Sequence, residues 1–73
     1  MSVEKNDFTR RVNSRMADLG IRQKDIVDRT GFSQGRVSHI CLGRIKSVES
    51  HSLFALADAL ECSARWLATG EDE

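Results

Sequence analysis

Four side chains in this 73-residue sequence have the chemistry of metal ligands: His39, Cys41, His51 and Cys62. Zinc sites draw on closely spaced pairs of the C-x-x-C kind. Here His39 and Cys41 make an H-x-C pair while His51 and Cys62 stand apart, so the spacing supports no metal centre. Nucleophilic catalysis is no better served, because nothing pairs a nucleophile with its base, sets two carboxylates on one face or forms a phosphate-cradling glycine loop. No enzyme, cofactor, metal or small-molecule ligand is therefore expected. What remains between residues 22 and 46 is a run of amides, hydroxyls, an imidazole and cations: Arg22, Gln23, Ser33, Gln34, Arg36, Ser38, His39, Arg44 and Lys46. The chemistry open to such groups is hydrogen bonding and ionic contact rather than bond making.

The charge pattern narrows the partner. Eleven Lys and Arg balance eleven Asp and Glu over the whole chain, yet the two signs are segregated. Residues 1–47 carry ten cations against five acids, a net +5, and residues 48–73 carry one against six, a net −5. Such asymmetry fits one face that meets a polyanion and a far side that keeps the molecule in solution. No apolar run approaches the roughly 18 residues of a membrane span, and the opening MSVEKNDF is too polar for a secretory leader. A cytoplasmic protein with free thiols at Cys41 and Cys62 is expected.

The elements that must position these groups are helices. From Asp7 to Leu19, Phe8, Val12, Met16 and Leu19 recur at three- or four-residue spacing opposite Arg10, Arg11, Arg15 and Asp18, an amphipathic helix ended by Gly20. A short second helix from Arg22 to Thr30, with Ile26 and Val27 inward, ends at Gly31. Ser33 then offers a hydroxyl cap for a third helix through Leu42, with Val37, Ile40 and Cys41 inward and Gly43 at its end. Arg44 to Glu49 reads as a surface loop. A fourth helix from about Ser50 carries Leu53, Phe54, Leu56, Ala57 and Leu60 as the central piece of the core, and Phe54, Met16 and Trp66 are expected to be core residues. A last helix from Ser63 to Thr69 ends at Gly70. The fold expected is all-α, a five-helix domain over residues 1–70 with an acidic tail at 71–73.

Within it, QKDIVDRTGFSQGRVSHICL places two short helices on either side of a tight glycine turn, which is helix-turn-helix spacing. The outward side of the third helix, beginning at Gln34, then projects as a rod narrow enough for a major groove about 12 Å wide.

RVNSRMADLGIRQKDIVDRTGFSQGRVSHICLG, with its spacing of Gln23, Gly31, Ser33, Gln34, Val37 and Ile40, and LFALADALECSARWLATG after it together resemble the lambdoid phage repressor and Cro proteins. The same fold is shared by the wider xenobiotic-response-element type of regulators, and the resemblance spans about residues 7 to 70. It implies a transcriptional regulator that binds a pseudo-palindromic double-stranded DNA operator as a dimer. By the same resemblance Gln34 would pair with an adenine, and Gln23 would contact a phosphate while supporting Gln34. Gly35, Arg36, Ser38 and His39 would be the further base-facing positions, and Arg22, Ser33, Arg44 and Lys46 would join Gln23 on phosphates. The chain departs from the family at Val27, where alanine is common, at Gly35, which has no side chain to read a base, and in RIKSVESHS, which lacks the usual proline before the fourth helix. Self-contact is expected from Val48 through Ser52 and the last helix. A rival reading keeps the fold and makes it an antitoxin-like or adaptor module that binds another protein. Of Arg10, Arg11, Arg15, Arg22, Lys24 and Arg29, about half are expected to serve the fold rather than DNA.

Overall fold

The computed structural model describes residues 6–71, which form α1 (Asp7–Leu19), α2 (Gln23–Thr30), α3 (Gln34–Leu42), α4 (Ser50–Ala59) and α5 (Ala64–Thr69), with no strand among them. These are the five helices expected, except that Arg22 and Ser63 stand before α2 and α5 as N-caps. Asp72 and Glu73 of the acidic tail lie outside the described residues.

The starts of α1, α3 and α5 satisfy amides that would otherwise lack partners through a side-chain cap. Asn6 Oδ1 accepts from the Thr9 amide at 2.8 Å, and the hydroxyls of Ser33 and Ser63 accept from Arg36 and Trp66 at 3.1 Å. At the other ends, the turn from α2 into α3 is closed by a glycine. Gly31 sits at φ 79° while its amide donates to the Val27 carbonyl at 2.8 Å, a left-handed conformation that a Cβ would strain. α4 lacks a glycine and closes instead through Leu60 and through Glu61, a non-glycine residue at φ 54°.

The core gathers one stripe from every helix: Phe8 and Val12, Ile26, Val37 with Ile40 and Cys41, Leu56 with Leu60, and Leu67. Met16 and Trp66 pack against it half-buried, but Phe54 does not join it. Its side chain is 59% exposed, against the expectation from sequence. The reason is helical phase. Ser52 and Leu56 face inward, and a residue two positions from each lies about 200° round the helix.

α1 and its N-cap fix α3, α4 and α5 by donating hydrogen bonds to their carbonyl ends. Along one side, Asn6 Nδ2 reaches the carbonyls of Gly43 and Ile45, each at 3.3 Å, Thr9 Oγ1 donates to that of Ile40 at 2.8 Å, and Asn13 Nδ2 to that of Cys41 at 3.1 Å. All four acceptors belong to the end of α3 or the loop after it. Along another side, Arg11 donates to the carbonyls of Leu67 (2.9 Å) and Ala68 (3.1 Å) in α5, and Arg15 to those of Leu60 (3.1 Å) and Glu61 (3.2 Å) after α4. From α2, Arg29 adds a bond of 2.8 Å to the Ala59 carbonyl. Cations at helix C-termini also meet the negative end of the peptide dipole, so these arginines hold the acidic half of the chain onto the basic half.

Candidate nucleic-acid interface

α3 is held by its buried side, Val37, Ile40 and Cys41, and by its C-terminal carbonyls, which leaves its opposite side open. At about 100° per residue, Gly35, His39 and Leu42 lie opposite the buried stripe, and all three are exposed. Ser38 and Arg36 fall roughly a quarter-turn to either side of them. Gln34 opens the helix on the Ser38 side, next to α2.

There the two glutamines meet. Gln34 Nε2 donates to Gln23 Oε1 at 2.9 Å, joining the first residues of α2 and α3. This bond uses one amide proton of Gln34 and leaves its second proton and its Oε1. Those are the donor and acceptor that a bidentate pairing with adenine N7 and N6 requires. Because Gln23 is the acceptor in the bridge, its own amide protons remain available for an anion.

The opposite edge of α3 differs. Arg36 Nη2 donates to Glu49 Oε1 at 3.0 Å and to the buried Ser52 hydroxyl at 3.0 Å, and its Cζ lies 4.5 Å from the centroid of the Phe32 ring. The guanidinium thus leans onto the start of α4 and away from the open stripe. Around Glu49, its own backbone amide, the Arg36 guanidinium, the Ser52 hydroxyl and His51 together outweigh desolvation and hold the carboxyl below its ordinary range.

Ser33 caps α3 through its oxygen and keeps its hydroxyl proton. Arg22, Arg44 and Lys46 are exposed, and the Arg22 amide donates to Asp25 Oδ2 at 2.9 Å. Of the six cations in α1 and α2 considered for phosphate contact, Arg11, Arg15 and Arg29 are engaged with carbonyl oxygens as described above. Arg10, which pairs with Asp7 at 3.9 Å, and Arg22 and Lys24 are exposed. Leu42, 53% exposed on the open stripe, was not singled out by sequence reasoning. The signal was present, since it lies three residues from His39 and four from Ser38. Asn6, Thr9 and Asn13 also went unmarked, because polar residues on an amphipathic helix resemble its wet face.

The would-be metal ligands do not assemble. Cys41 is buried and His39 exposed on opposite sides of α3, and among the described residues no three His, Cys, Asp or Glu side chains group to hold an ion. Burial pushes the Cys62 thiol up, against the pull of Arg15, so it stays protonated and weakly nucleophilic at neutral pH.

Residues 11–64 match the model of the Cro/C1-type HTH DNA-binding domain. The chain belongs to this family. Proteins similar to it include the HTH-type transcriptional regulators for conjugative element R391 of Providencia rettgeri and for conjugative element SXT of Vibrio cholerae. Each is 37% identical over 66 residues, which is 90% of this chain and 30% of the relative. The chain thus spans about a third of the length of these regulators. Among solved structures, the P22 c2 repressor in complex with synthetic operator 9T superposes with a TM-score of 0.77 at 26% identity, covering 94% of this chain and 100% of that one. The arrangement of the helices is therefore shared with a repressor crystallised with a synthetic operator.

Proposed function

We propose that residues 1–70 form the sequence-specific DNA-binding domain of a transcriptional regulator acting in the bacterial cytoplasm, with α3 in the major groove of a pseudo-palindromic operator. The observation that carries this reading is the bridge between Gln23 and Gln34. It fixes the orientation of an amide at the head of α3 and leaves unspent the atoms that recognise adenine. Gln34, Gly35, Ser38 and His39 face the bases, with the bare backbone at Gly35 permitting close approach. Arg22, Gln23, Ser33, Arg44 and Lys46 hold phosphates and set the register. Arg36, expected from sequence among the base contacts, is assigned to the groove wall, since its guanidinium leans toward α4.

A single domain of this kind buries about 600 to 1,000 Å² on DNA. Useful affinity thus calls for two copies on half-sites about one helical turn apart. Of the segment from Val48 through Ser52, Glu49 and the fully buried Ser52 turn to Arg36, so the self-contact falls to Val48, His51 and the last helix.

The test is selection of bound duplexes from a random pool, followed by titration of the enriched sequence between about 50 and 200 mM salt. An enriched palindrome, a steep negative salt slope and a loss of about ten-fold or more on Gln34→Ala, concentrated at one adenine, are expected. No enrichment and no salt dependence would sink the operator reading in favour of a protein-interaction module.

A further inference from the structure

Arg36 is the only Lys or Arg in α3, and the structure neutralises it from within the chain. Its three partners play unequal parts. Ser52 is fully buried and Phe32 is half-buried, so both are fixed points, whereas the Glu49 side chain is 56% exposed and is the one that carries charge. A helix lying in a major groove turns its outward stripe to the base edges and its flanks to the two phosphate walls. Arg36 is on such a flank, about a quarter-turn from the stripe of Gly35, His39 and Leu42.

We propose that Glu49 is a positioning residue for Arg36, its carboxylate occupying on the guanidinium the place that a DNA phosphate takes in the complex. This rests on the major-groove reading above. Carboxylate and phosphate accept from a guanidinium in the same fork geometry, so one can replace the other without rebuilding the site. The Ser52 hydroxyl and the Phe32 ring carry no charge and keep the guanidinium aimed when the anions exchange. Binding then swaps one anion for another at this position, and Arg36 adds little to the counterions released. In the free protein the carboxylate lowers the attraction of α3 for DNA of any sequence, leaving a larger share of recognition to Gln34 and its neighbours.

The test compares the full chain with Glu49→Gln, Arg36→Ala and the double variant on the selected duplex, from about 50 to 200 mM salt, with melting curves confirming that each is folded. Glu49→Gln is expected to bind about two- to five-fold more tightly, the range set by an exposed ion pair. Its plot of log affinity against log salt should steepen by up to about 0.9, one phosphate contact on B-form DNA. Both changes must vanish in the Arg36→Ala background. Unchanged or weaker binding by Glu49→Gln with an unchanged slope would overturn the proposal, leaving the carboxylate a strut for α3. A gain that persists without Arg36 would also overturn it, since Glu49 would then act as a plain repulsive charge. Wild-type protein that binds no duplex in a salt-dependent way would defeat the operator reading itself, an outcome read before any variant is compared.

Discussion

Gly35 is a position where stability and recognition are expected to diverge. Its φ is not among the positive ones, and a Cβ added there meets nothing within 4 Å. Alanine is the better helix former by about 0.5 to 1 kcal/mol, so Gly35→Ala is expected to raise the melting temperature by a few degrees. The same methyl group would stand between backbone and DNA, and anisotropy should report weaker binding by the more stable protein. Gly31 gives the contrast. There too a Cβ finds open space, but at φ 79° the backbone itself is strained, and Gly31→Ala should cost about 1 to 2 kcal/mol in denaturant unfolding. At Glu49 the sign of the pH effect follows from the lowered pKa. A carboxyl with a depressed folded value contributes above its unfolded value and loses that contribution as pH falls through the folded one. The Arg36 contact should thus persist through neutral pH and open only in acid. NMR titration of the Glu49 side chain should place its midpoint below the ordinary carboxylate range, and Arg36→Ala should raise it.

Among the helices, α1 holds the C-terminal end of α3 while contributing no residue to the reading stripe. Thr9 is fully buried, and its hydroxyl bond to the Ile40 carbonyl ties the two helices directly. Thr9→Val keeps the shape and removes the donor, so a loss of about 1 kcal/mol is expected from chemical unfolding. Arg11→Met tests the other side of α1. It should lower the melting temperature by several degrees, as expected for a loss near 1 kcal/mol, and leave DNA affinity unchanged. Such tertiary hydrogen bonds were the part of the fold least legible in sequence. Apolar spacing, capping hydroxyls and glycines marked all five helices because those signals are local. That Asn6, Thr9 and Asn13 aim at the end of α3 depends on how two helices cross, which no local pattern records. Phe54 failed for a related reason: α4 is so apolar that composition hid its phase, and only the inward placing of Ser52 and Leu56 reveals which side is wet. In the candidate interface, the pairing of Gln23 with Gln34 was readable from the family spacing, whereas the diversion of Arg36 to Glu49 required the position of α4.

For the molecule as a whole, the ordering of charge along the sequence becomes a seam through the fold. Arg11, Arg15 and Arg29 from the basic half close the helix ends of the acidic half mainly through neutral carbonyl oxygens, with Asp18 and Glu61 as secondary partners of Arg15 and Arg29 at 3.3 and 3.5 Å. Phe54, exposed on the side of α4 away from Ser52 and Leu56, offers a second handle at this scale. Phe54→Ser is expected to shift sedimentation toward monomer and weaken operator binding while leaving the melting curve of the monomer nearly unchanged. The seam also separates two responses to ionic strength. Mobile ions compete strongly for a phosphate but poorly for a carbonyl already enclosed by the chain. Rising salt should therefore strip the domain from a polyanion well before it loosens the domain itself, so that a heparin column releases folded, reusable protein.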